Sequence, residues 1–474
     1  MHTRLALMIA AISAIAIGQG CDSGAGFRPA GIAAAPSTSF QAPAGPDRQP
    51  GEAPAGTRLP DKATLADYLT AAALNNPALA AAYADWQAEL ETIPQVRALP
   101  DPQLSYTSAI RQGRMGSGAG MLPDNIQLMQ MLPWIGKLAL RGDAAAQAAE
   151  AARLRYEARK LELFFQVKDV YYDYYYLGQA VAVTDENVRL LKHIEEVARA
   201  RYKTGTAERG DLIRLEVESG KLQDQLRQLR DMRGPTEARL LAAMGLSENV
   251  ELPWPDQVEQ ATTDVTEDQL VQWAQQSNPA LLAMDADAAM RQKQILLAKK
   301  EYFPDVTLGL MWMDNAPAWK MHLADPAENP PMAMVSVNLP IWFDKLEAGV
   351  REAKARHIAA LRRRLDMSND FRSRVKMAAF QYRDAVGKLD LYQRILIPRA
   401  REALRTTETN YSTGAATFAD LLDSQRVLLE FQLVNQQAVA NRARQLAMLE
   451  MLIGRQLPTQ QTPTTQPATQ PGKS

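Results

Sequence analysis

With 474 residues the chain has the length of about three ordinary domains, and its 53 Lys+Arg against 54 Asp+Glu leave no basic field for nucleic acid. One cysteine (Cys21) and four scattered histidines (His2, His193, His322 and His357) exclude an internal disulfide framework and a thiol zinc site. Apolar residues make up 46% of the chain. Beyond the N-terminal segment no run of about 18 of them marks a spanning helix, so any membrane crossing has to be made by strands. No constellation of nucleophile, acid–base pair or metal ligands stands out, no cofactor is called for, and an enzyme is not expected.

Residues 1–20 read as an export signal. Arg4 gives the positive start, and Leu5 to Ile17 is an apolar run too short to persist as a spanning helix. Gly18-Gln19-Gly20-Cys21 then resembles a bacterial lipoprotein cleavage site, although Gly18 stands where Leu is usual. That makes Cys21 the expected lipidated first residue of the mature chain, carrying palmitate. Residues 21–60 are rich in Ala, Pro, Gly and Ser and read as a flexible tether.

A first structural unit is expected over 61–256. A helical pattern runs over 64–99, interrupted at Pro94, and contains Asn76-Pro77-Ala78-Leu79. Pro102 to Ile110 alternates Leu104, Tyr106, Ser108 and Ile110 with small polar residues, which is a strand with one apolar face. A Gly-rich loop follows, then a return strand from Ile126 to Leu132 ending in Leu132-Pro133. The spacing then predicts one helix from Lys137 to Thr204, about 100 Å long. Phe164, Val167, Tyr171, Tyr174, Gly178 and Val181 form one seam on it, and Leu161, Phe165 and Tyr172 begin another, so it has two packing neighbours. After Gly205 the chain returns as a helix to about Gly245, with a break expected at Gly234-Pro235.

The same order recurs over 263–456. Asn278-Pro279-Ala280-Leu281 lies 202 residues after its match, the strand Pro304 to Met313 likewise, and Leu339-Pro340 lies 207 after Leu132-Pro133. Helices are expected over 266–300, 345–411 and 418–454, with Pro398 bending the long one. Tyr202-x-x-Gly205 and Tyr411-x-x-Gly414 are 209 residues apart, as are Asp211 and Asp420. Residues 457–474, rich in Pro, Thr and Gln, read as a disordered tail.

Four strands per chain cannot close a membrane barrel, and open edges cannot face lipid. Three copies would supply twelve strands and a tube of long helices. The expected fold is α+β and mainly α: a trimeric twelve-stranded transmembrane β-barrel continued by a long periplasmic α-helical barrel, each protomer an internal tandem repeat. A non-conducting coiled-coil tether of the envelope is the alternative. It explains the long helices but not two strand hairpins at matched positions.

The duplicated Asn-Pro-Ala-Leu, the duplicated Leu-Pro followed by Lys (Lys137, Lys345) and the two Tyr-x-x-Gly turns resemble the TolC family of outer-membrane efflux channels, over roughly residues 61–456. With the lipoprotein-like Cys21, the chain is most similar to the branch that works with resistance–nodulation–division pumps. The resemblance implies a homotrimer in the outer membrane, lipid-anchored, with a large periplasmic portion. It also implies partners: a periplasmic adaptor (membrane fusion protein) and an inner-membrane pump. Tyr202, Gly205, Tyr411 and Gly414 would form the helix-turn tips where the adaptor docks. Asp420 and Asp423, with Tyr411, match the family's periplasmic gate; six carboxylates near one axis would favour cations and raise one another's pKa. The family's latch arginine, two residues after the second turn glycine, is replaced by Ala416. The bland reading of Asp420 and Asp423 is a solvated helix start.

Methionines crowd both strand hairpins, among them Met311, Met313, Met332 and Met334. Thioethers bind Cu(I) and Ag(I), and methionine is also an adaptable filler of apolar faces. Cargo is therefore open between copper or silver, another metal, and drugs.

Overall fold

The computed structural model describes residues 60, 63–107, 124–205, 208–246, 252–255, 258, 261–314, 331–458 and 460–461. The expected export signal, Cys21, nearly all of the tether, the Gly-rich loop and most of the tail lie outside the described residues.

The first half runs α1 (Leu65–Asn75), α2 (Pro77–Arg97), β1 (Gln103–Thr107), β2 (Asp124–Leu132), α3 (Lys137–Lys203), α4 (Arg209–Asp231) and α5 (Arg233–Met244). A two-residue strand, β3 (Ala261–Thr262), precedes the second half: α6 (Glu267–Ser277), α7 (Pro279–Lys300), β4 (Val306–Asp314), β5 (Met332–Val337), α8 (Phe343–Leu391), a π turn (Tyr392–Leu396), α9 (Ile397–Thr413) and α10 (Phe418–Ile453). β6 (Gln460–Gln461) ends the described chain and pairs with β3. No helix of the described residues is long and apolar enough to cross a membrane.

Two expected single helices are each two. The chain breaks at Asn76 and at Asn278, both in extended backbone, because a residue before proline is pushed out of the helical region. Each asparagine then caps the next helix: Asn76 Oδ1 accepts from the amides of Ala78 and Leu79, and Asn278 Oδ1 from that of Ala280. Their side-chain amides reach across the fold. Asn76 Nδ2 donates to the Ala243 carbonyl at 3.0 Å, and Asn278 Nδ2 to the Leu452 carbonyl at 2.8 Å. The helices so gripped end in Gly245 and Gly454, both left-handed (φ 72° and 74°). A Cβ on either would sit 2.6 Å from a backbone oxygen, that of Asn75 or Ser277. The Asn-Pro motif and the terminal glycine are thus one clasp, made twice. Pro94, by contrast, lies inside α2 without ending it.

The long helices repeat just as closely. Leu163, Val167, Val170, Tyr171, Tyr174 and Leu177 are buried on α3, and the residues 208 further on (Phe371, Val375, Ala378, Ala379, Tyr382 and Ala385) are buried on α8. Beyond the π turn the spacing becomes 209, as in Val188 with Ile397 and Leu191 with Ala400. The wide turn at Tyr392–Leu396 absorbs that one extra residue. It also lies just before Pro398, which cannot donate to the preceding turn. On the return leg, α4 gives way to α5 at Met232, just ahead of Gly234-Pro235.

The strands form one antiparallel sheet ordered β1-β2-β4-β5. Leu104, Leu128, Leu310 and Ala333 lie in one cross-strand row, and Tyr106, Ile126 and Trp312 in the next on the same face. The opposite face carries the rows Gln103, Met129, Gly309, Met334 and Ser105, Gln127, Met311, Met332. The two hairpins differ in register: Gln103 faces Met129, whereas Ser336, the match of Met129, faces Thr307 rather than Asp305. A shift of two residues keeps every side chain on its face.

Lys137 fastens the halves beneath the sheet. It is 1% exposed, and its Nζ reaches Asp305 Oδ1 at 2.9 Å, the Phe303 carbonyl at 3.2 Å and Glu301 Oε2 at 3.4 Å. The Trp134 amide also donates to Asp305 Oδ1, and the Trp134 and Phe303 rings stack at 5.3 Å. The start of the tail departs from the disorder its composition predicts. Leu457 is 5% exposed among Leu270, Val375 and Leu449, because a leucine just past the Gly454 stop falls onto that cluster.

Gly454→Ala is expected to lower thermal stability by about 2 kcal/mol or more, since it meets both a left-handed φ and a backbone oxygen. Gly220→Ala, in α4 with open space around it, should instead gain about 0.5–1 kcal/mol. Thermal unfolding followed by circular dichroism in detergent separates the two.

Candidate functional site: the paired helix tips

The tips are where the two long hairpins turn. At the first, α3 ends before Gly205 in the left-handed region (φ 71°), and α4 resumes at Arg209. At the second, Gly414 (φ 83°) ends α9, and the amides of Ala415 and Ala416 both donate to the Asn410 carbonyl. Sequence places a tyrosine three residues before each glycine, but their settings differ. Tyr202 is 43% exposed, whereas Tyr411 is 3% exposed.

The difference is Arg201. Its guanidinium lies 4.5 Å from the Tyr411 ring centroid and donates to the Tyr411 carbonyl. Phe418 also packs against Tyr411, with ring centroids 5.7 Å apart. Burial pushes the Tyr411 phenol above its ordinary value and Asp211 adds to this, while Arg201 opposes it. The ring therefore stays neutral. Arg201 was not legible in advance; it is one of three basic residues, Arg199, Arg201 and Lys203, before the first turn, and its 209-residue match is Asn410.

Asp420 is bound into the start of α10. Its Oδ2 accepts from Thr417 Oγ1 at 2.6 Å and from the Thr417 amide at 3.0 Å, and the Asp420 amide returns to Thr417 Oγ1 at 3.2 Å. Those bonds hold its carboxyl below the ordinary carboxylate range within one chain. Asp423 is exposed one turn on. Beyond it, Arg426 grips Glu218 of α4 with two bonds of 2.8 and 2.5 Å, which lowers the Glu218 pKa. Contacts that join the tips thus include Arg201–Tyr411 and Glu218–Arg426, around a cluster that includes Leu215, Phe418, Leu421 and Leu422.

The remaining candidate residues lie elsewhere. Met311, Met332 and Met334 share the less apolar face of the sheet, and Met313 lies opposite Asn125 in β4. Among the described residues no group of three His, Cys, Asp or Glu side chains is placed to hold a metal ion.

A sheet with an apolar outer face, set on two long helical hairpins that end in paired tips, defines the class of outer-membrane export channels. The family model for outer membrane efflux proteins matches residues 68–246 and 270–455, and the chain belongs to that family. It is 23% identical over 382 residues to the outer membrane protein TolC of Vibrio cholerae, covering 77% of this chain and 85% of that one. It is 23% identical over 319 residues to the pyoverdine export outer membrane protein OpmQ of Pseudomonas putida, covering 65% of each. Among solved structures, the outer-membrane channel OprN superposes with a TM-score of 0.72 at 17% identity, over 82% of this chain and 89% of that one. VceC of Vibrio cholerae gives 0.70 at 17% identity, over 83% and 96%. At such identities the structural likeness speaks for the fold.

Arg201→Ala removes a desolvated cation–π contact and a charged hydrogen bond, so amide exchange over 411–423 should quicken about tenfold. Glu218→Gln should cost roughly 1 kcal/mol or less at neutral pH. Because the folded Glu218 pKa is depressed from 4.5, the parent's advantage is present above that value. It fades as pH falls through the folded pKa, which a pH series of melting curves would follow.

Proposed function

We propose that this efflux channel is the outer-membrane component of a tripartite system. It passively conducts cargo from an inner-membrane resistance–nodulation–division pump and a periplasmic adaptor to the exterior. The observation that carries this is the sheet: four strands whose apolar face is exposed and whose two edge strands, β1 and β5, each pair on one side only. Three copies close it as a twelve-stranded barrel, and the long hairpins of the same copies continue it as a periplasmic tube. Each chain is then a tandem repeat of 61–256 and 263–456, anchored by lipid on Cys21 through the 21–60 tether.

The tips take the adaptor, with Tyr202, Gly205, Tyr411 and Gly414 forming the docking turns. Asp420 and Asp423 face the pore axis as a cation-favouring gate. In one chain the Thr417 cap holds the Asp420 carboxyl down; crowding with the other copies pushes the opposite way. The less apolar sheet face becomes the barrel lumen. Its methionine rows put Cu(I) or Ag(I) among the candidate cargoes, beside another metal or a drug, with Met129 and Met334 flanking Gly309 across three strands; the copper case makes a distinct prediction. Replacing Met311, Met332 and Met334 with Leu should then raise copper sensitivity of cells and leave drug sensitivity unchanged.

Negative-stain imaging of detergent-extracted protein tests the architecture. A three-fold particle with a short barrel and a tube of about 100 Å is expected. A monomer or a barrel-less rod would mean a non-conducting envelope tether. In planar bilayers, replacing Asp420 and Asp423 together with Ala should raise single-channel conductance and weaken cation preference. Unchanged traces would remove the gate assignment.

A further inference from the structure

The seam between the two halves of one chain is fully formed, and it serves as a template. In that seam α7 of the second half packs between α3 and α8. Lys293 on α7 meets Asp143 on α3, Nζ to Oδ2 at 3.0 Å. The helix that matches α7 is α2, and it packs against α3 while Leu90 and Glu91 on it, and Leu99 just past its end, are exposed. The helix that matches α3 is α8, whose free side exposes Ile358, Leu361 and Leu365. The end strands β1 and β5 each have one unpaired edge. Every element of a second seam is therefore present, half of it at each end of the chain.

We infer that the seam between neighbouring copies repeats the internal one, and that Glu91 of one copy pairs with Arg351 of the next as the charge-inverted counterpart of Lys293 and Asp143. This rests on the trimeric reading above. The correspondence is fixed by spacing. From Asn76/Asn278 to Pro102/Pro304 the offset is 202 without a gap, which takes Lys293 to Glu91. From Lys137/Lys345 through Leu177/Ala385 it is 208, as the buried positions require, which takes Asp143 to Arg351. Both partners have changed sign together, so attraction is kept. Both are exposed in the single chain, and among the described residues Arg351 pairs with Glu347 on its own helix, at 2.7 Å.

A second substitution follows the same logic at the head of the seam. Lys345, the match of buried Lys137, is exposed. The matches of Glu301 and Asp305 are Leu99 and Gln103, which carry no charge, while the match of Phe303 is Asp101. The carboxylates are lost from those two positions, and at the position between them Asp101 replaces a residue that meets Lys137 through its backbone carbonyl alone. Beside Lys345, Leu339, Ile341, Trp342 and Phe343 are uncovered, Trp342 at 73% exposure, where the internal seam has Trp134 stacked on Phe303. Apolar cover, free strand edges and complementary charge all fit a second copy of this chain.

Charge reversal in the full chain, extracted from outer membranes in mild detergent, is the test. Glu91→Lys and Arg351→Glu are made singly and together, and the trimer-to-monomer ratio is read by native gels across a dilution series. Each exposed pair contributes little, but three seams act at once, so each single reversal should favour monomer by about tenfold. The double reversal should return to within about twofold of the parent. Where a reversal prevents folding, Glu91→Gln and Arg351→Gln should show the same coupling at smaller size. Additive or absent effects in a trimeric protein would overturn the pairing alone. A parent protein that is monomeric throughout would overturn the channel reading with it.

Discussion

Every N–H and C=O on a strand that faces hydrocarbon must find a partner within the protein, because lipid offers none. On the barrel reading proposed above, the single chain meets this demand for β2 and β4 and half meets it for β1 and β5. The rest of the molecule is arranged around that shortfall. The buried Lys137 fixes where β2 and β4 emerge from the helices, since its ammonium is satisfied by groups that precede β4 while its own backbone begins α3. The position of the sheet's centre is thus set by one buried charge with three acceptors. The two outer strands carry the unfinished edges away to either side, where the uncovered faces of α2 and α8 lie.

The two halves also show what a repeated design conserves and what it releases. Kept are features with no slack: the asparagine that caps one helix and grips the end of another, and the glycine whose Cβ would meet a backbone oxygen at 2.6 Å. Released are features whose change costs little. A one-residue surplus in the second long helix is absorbed by a π turn, which leaves the buried positions in phase on both sides. A two-residue register difference between the hairpins is invisible to the sheet, because only odd shifts exchange its faces.

Much of this was legible in the sequence. Strand alternation, 3.6-residue seams and turn glycines located the elements to within a few residues, since they reflect periodicities that the backbone imposes. The motif offsets gave the order of the second half from that of the first. What was not legible depends on contacts distant in sequence. Arg201 carries no local signal, because its partner Tyr411 lies 210 residues away. The breaks at Asn76 and Asn278 were missed because hydrophobic periodicity continues across them; the proline that follows was the available sign. Leu457 looked like part of a polar tail, and only the cluster at the end of α10 explains its burial.

The tips hold the two hairpins together by contacts that are individually modest and unequal between the turns. Tyr411 is enclosed by Arg201 and Phe418, while Tyr202 looks outward. One turn is therefore tied to its neighbour within the chain, and the other presents an unengaged aromatic ring. The carboxylate of Asp420 is already committed to Thr417 by two hydrogen bonds, with a third returned by its backbone amide, whereas that of Asp423 is exposed. The two acids of an Asp-x-x-Asp spacing are thus not equivalent. The first fixes the helix start, so its charge has a set position and is costly to move. The second is free to reorient, and it lies beside Arg426, whose charge it reinforces. A gate built on such a pair has a rigid element and an adjustable one within a single helical turn. A rotation of α10 at the tip has to break the Arg426–Glu218 contact, whereas Arg201 holds Tyr411 at the end of α9.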